Sequence, residues 1–471
     1  LWKRFVEAGR AVDFVGSHKG HHSGTPSFPA VQGKSFDQDH EGHWGWRADQ
    51  LLAKLPGWLA GYDADVALLH VGTNDALHGQ STASTVSELE AIIDALRADN
   101  PKVAIFLAKL IPTTRAENSA VQQLNGEMEG IAERKHQAAS PVTVVDQGEA
   151  FSASSDCYDG IHPDAGGEEK LAKRFFEALE SYPRPRVIVS TDIGGSDPDD
   201  FQSMVHLLVY ADRFDLEGLI ASPPDKGRLS HIHEALDAYA KDLPTLNAHG
   251  AFPAAAALRG MSKQGAINKA PSAGYASSTA GSQWIIARAK DPDPRPLYVL
   301  VWGSITDVAQ ALHDDSSIEA KLRVYSIGSW NTKQDPAARK YIYDHHPNLW
   351  WIENDTTFRG MYVGGKQSGD LGNTSFVSQH VAGKGALGKL FAAKKADIKM
   401  GDTPSVLYLL YGNPAQPHLR HWGGRFVPTS HGPRYFHDDP AASAKEGSYA
   451  GAKTVNRWRE TYLRDWQSRM P

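Results

Sequence analysis

The sequence predicts an α/β protein made of two three-layer α/β/α domains with mainly parallel sheets. Three observations lead there. Short apolar, β-branched runs alternate with amphipathic stretches of helical period along the whole chain, as in βαβ units. A length of 471 residues exceeds what one ordinary core organises. The segment Leu179-Glu-Ser-Tyr-Pro-Arg-Pro-Arg186 places two prolines behind a helical pattern and ahead of a new apolar run, so one unit ends there and another begins. The expected division is residues 1–181, a linker at 182–186, and 187–471.

Before the seam, Val12-Asp-Phe-Val15, Val66–Val71, Val103–Leu107 and Val142–Val145 read as strands, and Thr85–Leu96, Ala120–Ala132 and Glu168–Leu179 as helices. After it, Leu216–Ile220, Leu297–Val301, Arg323–Ile327 and Leu349–Ile352 continue the strands. Ala251 to Ser282, rich in Ala, Gly and Ser, reads as a long irregular insertion. A hydrophobic content of 41% with 22% charged residues is that of a soluble globular protein. The formal net charge of -6 and the lack of a basic stripe argue against nucleic acid as a partner. No apolar run reaches transmembrane length, so no membrane partner is expected either. Cys157 is the single cysteine, which excludes an internal disulfide framework and a cysteine metal cluster. The chain opens Leu1-Trp-Lys without an initiator methionine, so the lack of a signal peptide says little about compartment.

The chemistry concentrates at two places. In Arg186-Val-Ile-Val-Ser-Thr-Asp192-Ile-Gly-Gly-Ser-Asp197-Pro-Asp199-Asp200 a β-branched run ends in four carboxylates within nine residues, and the apolar Met204–Tyr210 segment follows as a helix. Four acids at a strand-to-helix turn repel one another unless a cation sits among them, and hard oxygen donors suit calcium or magnesium. The two glycines allow a sharp turn and close approach of a ligand. The alternative is a solvated acidic turn with Asp199 or Asp200 as helix N-cap. In the first half, Val66–Val71 runs into Gly72-Thr-Asn74-Asp75, and Asp159-Gly-Ile-His162 precedes the last helix. An aspartate three residues ahead of a histidine, on a glycine-containing turn, can fix the imidazole tautomer so that the histidine serves as general base. An asparagine amide and a glycine N–H can form an oxyanion hole.

Gly72-Thr-Asn74-Asp75 and Asp159-x-x-His162, in that order, resemble the third and fifth blocks of SGNH (GDSL-like) hydrolases over residues 1 to about 180. Gly45, in Glu41-Gly-His-Trp-Gly45-Trp, matches that family's second-block glycine. The resemblance implies Asp159 and His162 as catalytic residues, with Asn74 and Gly45 around the oxyanion. The family's first block, Gly-Asp-Ser with the nucleophile, does not occur in this sequence. Either it precedes Leu1 or the unit has none; the retention of Asn74, Asp159 and His162 favours the former.

The second half resembles nucleoside hydrolases, and more closely the nucleoside-hydrolase-like domain of bacterial proteins labelled cellulose-binding. The resemblance rests on Thr191-Asp-Ile-Gly-Gly with Asp199-Asp200, Asp355-Thr-Thr-Phe-Arg-Gly-Met-Tyr362, Gly401-Asp402-Thr-Pro-Ser405 and Trp422-Gly-Gly-Arg425. It implies calcium held by Asp192, Asp200 (with Asp197 as the other choice), the carbonyl of Thr306 and Asp402, with Asp192 as general base. It also implies Asn331 on a sugar hydroxyl. Trp302, Trp330 and Trp422 could stack on a sugar face, against core packing as the alternative. Arg359 and Arg425 read as substrate clamps or structural ion pairs, and His345-His346 as surface or C-cap residues. The expectation is a modular carbohydrate-active hydrolase, secreted or periplasmic, that deacylates sugar esters and cleaves a glycosidic bond with calcium, acting on a polysaccharide or oligosaccharide. The alternatives are a glycan-binding protein with one or both sites silent, and a true nucleoside N-ribohydrolase.

Overall fold

In a computed structural model that describes all residues except 20, 22–25, 138, 181, 196 and 224–226, the chain separates at the two-proline seam into Leu1–Glu180 and Ser181–Pro471. The sheets of both units are α/β and mainly parallel.

In the first unit the apolar runs form β1 (Val66–Leu69), β2 (Ala104–Lys109) and β3 (Val142–Asp146), paired in parallel in the order β1-β2-β3. Central β2 is buried along almost its whole length, whereas edge strand β1 leaves Leu68 exposed. Helices Thr82–Asp99, Asn118–Lys135 and Ala165–Glu180 connect and cover the strands. The expected strand at Val12–Val15 does not form. A strand is stable only with a ladder partner. Here the Phe14 N–H donates instead to the Asp37 carboxylate at 2.7 Å, and the pairing that follows is an isolated bridge of His18 with His40.

The second unit carries eight strands in the order β10-β11-β9-β8-β7-β4-β5-β6. They are β4 (Arg186–Thr191), β5 (Asp215–Ala221), β6 (Ser262–Gln264), β7 (Leu297–Val301), β8 (Leu322–Ile327), β9 (Trp350–Asn354), β10 (Phe426–Thr429) and β11 (Gly432–Asp438). All pair in parallel except β10 with β11. Successive residues of a strand face opposite sides. Val187 and Val189 therefore join one core with Met204, Ile232, Phe391, Val406 and Trp466, while Ile188 joins the other with Ile285, Val308 and Ile342. Helices thus cover both faces, and a fully buried β4 needs the uninterrupted apolar run that the sequence shows.

Two parts of this unit differ from the sequence reading. The segment 251–282 is not irregular throughout: it holds a helix at Ala255–Gly260 and edge strand β6. Two buried aspartates organise it by accepting its polar groups. Asp307 takes the Ala266 N–H (3.1 Å) and the Thr279 hydroxyl (2.6 Å), and is itself fixed by the Ser222 hydroxyl (2.5 Å) directly after β5. Asp335 takes the Ala270 N–H at 2.8 Å. The β10–β11 hairpin was not anticipated, because Gly432-Pro-Arg-Tyr-Phe-His-Asp438 has no β-branched residue to announce it.

The first residue of β4 anchors the sheet. The fully buried Arg186 guanidinium donates to both oxygens of Glu217 (2.6 and 2.9 Å) and to the carbonyls of Arg288 (2.7 Å) and Arg295 (3.1 Å). Arg186→Ala leaves a largely buried carboxylate and two carbonyls without their donor, so it is expected to cost about 3–5 kcal/mol in urea unfolding. A loss under 1 kcal/mol would contradict this reading.

Candidate functional site

Strand order reverses in the second unit between β4, whose chain continues to β5, and β7, whose chain continues to β8 on the other side. Loops leaving the carboxyl ends of such a pair diverge and open a crevice. Asp192 follows β4 directly, and Gly303 follows β7. A side chain at Gly303 would lie 2.9 Å from Asp192 Cβ, so only glycine permits this approach.

Asp199 and Asp200 open the helix Asp199–Val209, behind Pro198 at the N-cap. Asp402 stands at the N-cap of the helix Thr403–Leu410. One ligand atom each from Asp199, Asp200 and Asp402 lies within 4.8 Å of the others, and Asp192 hydrogen-bonds Asp200. Asp200 and Asp402 are 5% and 2% exposed, and Asp192 and Asp199 are half-buried residues whose carboxyl groups are nonetheless crowded by protein. Asp200 also accepts the Thr191 hydroxyl, whereas Asp402 Oδ2 is buried with no hydrogen-bond partner among the described residues.

Gln202, completely buried one half-turn beyond Asp200, holds the two segments together. Its amide donates to the carbonyls of Lys395 (3.1 Å) and Asp397 (2.9 Å), and its oxygen accepts the N–H groups of Lys399 (2.8 Å) and Met400 (3.1 Å). This clamp brings Asp402 to the acidic pair. Burial, reinforced by the Asp199 charge, pushes the Asp192 carboxyl up to about 7. Burial, and next the charge of a neighbouring aspartate, raises Asp199, Asp200 and Asp402 well above the usual carboxylate range. Asp197 lies at the exposed rim of the cluster, hydrogen-bonded to Asp199 and paired with Lys399 Nζ at 2.6 Å. Between the two choices left by the sequence, Asp200 is the one enclosed with Asp192. Asp199 was missed as a member because adjacent acids at a helix start also read as caps.

The remaining residues expected around a sugar divide. Asn331 donates its amide to the carbonyls of Trp302 (2.6 Å) and Ile327 (3.1 Å), next to Gly303, leaving Oδ1 for a donor. Trp330 is 63% exposed beside it. Trp302 and Trp422 are corrections. Trp302 is enclosed in the core and donates to Ser405 Oγ at 2.8 Å, and buried Trp422 stacks on Tyr411 at 5.5 Å. Arg425, left open between a substrate clamp and a structural ion pair, has its guanidinium engaged by Asp439, with Nε at 2.9 Å, which favours the ion pair over the clamp. Thr306 begins its helix and gives its hydroxyl to Asp335 at 2.6 Å. Of the histidine pair, His345 is exposed, while His346 is the C-cap but is buried against Glu319 at 2.9 Å, not a surface residue.

In the first unit, His162 Nδ1 lies 2.8 Å from Asp159 Oδ2, while Asp159 Oδ1 accepts the N–H groups of His162 (2.8 Å) and Ile161 (3.0 Å). Hydrogen bonds from the His162 backbone and ring hold the Asp159 carboxyl well below the usual range, so it is ionised at neutral pH. This sets Nδ1 as the donor and leaves Nε2 as the basic nitrogen. His162 is half open to solvent, with Tyr158 stacked on it at 5.7 Å. Asn74 lies in the short helix Thr73–Leu77 after Gly72, whose φ of 126° an L side chain rarely adopts, and donates to the Trp46 carbonyl at 3.0 Å. That bond ties Asn74 to the turn carrying Gly45, itself at φ 77°.

Residues 186–426 match the family described as the cellulose-binding Sde182, nucleoside hydrolase-like domain, over more than half of the sequence. The chain belongs to this family. Residues 12–170 match the GDSL-like lipase/acylhydrolase family, so an esterase-like segment precedes the nucleoside-hydrolase-like one, the order indicated by the motifs. Among curated proteins, a multidomain esterase of Ruminococcus flavefaciens is 28% identical over 170 residues, 32% of this chain and 22% of its own. The chain therefore spans about a fifth of that relative. Among solved structures, a nucleoside hydrolase-related protein from Saccharophagus degradans, described as associated with carbohydrate metabolism, is 27% identical with a TM-score of 0.49, covering 61% of this chain and 71% of its own. A carbohydrate esterase family 3 protein from Talaromyces cellulolyticus is 30% identical with a TM-score of 0.34, covering 38% and 86%. No helix among the described residues is long and apolar enough to cross a membrane.

Carboxyls raised in the folded state hold protons that the unfolded chain releases near its usual value of 3.8. Stability of the cation-free protein is therefore full below that value and falls as pH rises toward and past about 7. Asp402→Asn removes one of the crowded charges. In calorimetry after exhaustive chelation, it is expected to stabilise the protein at pH 8 by about 1 kcal/mol or more, since one pKa unit is worth about 1.4 kcal/mol. At pH 5 the effect is expected to be smaller. Equal effects at both pH values would contradict the crowding.

Proposed function

We propose that the protein is a secreted or periplasmic carbohydrate-active hydrolase. Its C-terminal unit cleaves a glycosidic bond with calcium, and its N-terminal unit removes acyl groups from a decorated polysaccharide or oligosaccharide. The observation that carries this reading is the enclosure of Asp192, Asp199, Asp200 and Asp402, with one Asp402 oxygen left unpartnered. An all-oxygen, multiply charged donor set of this kind fits calcium. Asp192, Asp200, Asp402 and the Thr306 carbonyl would hold the ion, with Asp199 close by. When bound, calcium supplies a fixed positive charge that lowers the pKa of a coordinated water and anchors sugar hydroxyls.

The chain's own groups do the rest. With its carboxyl ionised, Asp192 takes a proton from the attacking water. The neighbouring carboxylates favour the positive charge that develops at the anomeric carbon. Asn331 Oδ1 accepts a sugar hydroxyl, and the exposed Trp330 indole offers a face for the ring. In the N-terminal unit, His162 Nε2 is the general base, oriented through Nδ1 by Asp159. Asn74 and the turn at Gly45 lie around the developing oxyanion. This sequence contains no Gly-Asp-Ser block, so the proposal covers the base and the oxyanion side of that site.

Asp192→Asn is expected to lower release of reducing sugar from the glycan substrate by at least about a hundredfold, as loss of a general base does. Retained turnover would overturn the assignment. His162→Ala is expected to reduce p-nitrophenyl acetate hydrolysis by a factor on the order of a hundred or more. Glycan binding without any turnover would support a binding protein instead.

A further inference from the structure

A cavity of about 660 Å³ in the N-terminal unit is lined by His18, His21, His40, His43, Trp46 and Trp58 among others, a concentration of imidazoles that the proposed chemistry does not use. His18 Nε2 and His43 Nδ1 face each other at 3.2 Å. Two nitrogens bound to one tetrahedral zinc at about 2.0–2.1 Å sit roughly 3.3 Å apart. The other nitrogen of His43 is already committed: Nε2 lies 2.8 Å from Glu41 Oε1. Glu41 in turn accepts the Ser17 N–H (2.9 Å), the Ser17 hydroxyl (2.5 Å) and the Tyr62 hydroxyl (2.6 Å). A carboxylate saturated in this way keeps the proton on His43 Nε2, so Nδ1 presents its lone pair to the cavity. Carboxylate–histidine–metal relays have this arrangement.

The backbone fixes the pair as well. His18 and His40 exchange N–H···O bonds at 3.0 and 2.9 Å, and a side chain at Gly16 would meet the His40 carbonyl carbon at 2.1 Å, so the two segments lie as close as glycine allows. His43 is stacked on Trp58 at 4.0 Å and cannot swing away. His40 is not a donor here, because its Nδ1 accepts the Gly42 N–H at 3.0 Å and its Nε2 must carry the hydrogen. We infer that His18 Nε2 and His43 Nδ1 form a zinc-binding site, oriented by Glu41 and completed by water. Imidazole donors select zinc-class ions over calcium, which separates this site from the acidic cluster. A bound ion joins the 17–18 segment to the turn that carries Gly45.

The test is calorimetric titration of the full chain with zinc chloride after chelation, with calcium chloride as the control ion. One zinc equivalent is expected at this site. Its affinity should fall at least about tenfold in His18→Ala, whose side chain is exposed, and by about tenfold in Glu41→Gln, and should persist in Asp402→Asn. X-ray absorption of the zinc-loaded wild type needs no variant and is expected to show two imidazole nitrogens at about 2.0–2.1 Å. No uptake, uptake unchanged by His18→Ala, or an all-oxygen zinc shell would each overturn the inference.

Discussion

Mutual repulsion among the enclosed carboxylates of Asp192, Asp199, Asp200 and Asp402 is the constraint on which the C-terminal unit's arrangement depends. Charges gathered away from water raise one another's pKa and oppose folding unless protons or a cation offset them. The fold nonetheless brings them together by rigid means. The switch in strand order opens the crevice, Gly303 lets β7 approach Asp192, and the Gln202 amide fixes the loop leading to Asp402. Groups assembled at a cost to stability and held by the scaffold are expected where function requires them.

The N-terminal unit uses the opposite electrostatic logic. Asp159 is stabilised as an anion by backbone N–H groups and the His162 ring, so its charge costs little and orients the imidazole. One unit thus presents an imidazole held in place by an anion. The other gathers carboxylates into an all-oxygen donor set.

Much of the fold was legible because buried parallel strands must be continuous apolar runs, and β2, β4, β7 and β8 are such runs. The failures share a cause: each depends on a distant partner. Val12–Val15 has strand composition but its amide meets Asp37, whereas β6 has weak composition but pairs with β5. In the site, Asp192, Asp200 and Asp402 stood out through motifs that repay local reading. Gln202 did not, because an amide clamp shows only when the 395–400 loop is seen against it. Trp302, Trp422 and Arg425 lie in or beside the same motifs, yet whether such a residue faces a sugar or the core is decided by packing that no local pattern records.

The most direct test of the account is anomalous diffraction from crystals grown with calcium. A single calcium peak is expected at the carboxyl end of β4, with oxygens of Asp192, Asp200 and Asp402 at about 2.3–2.6 Å. A cluster that stays free of the ion, its carboxylates bridged only by shared protons, would contradict it.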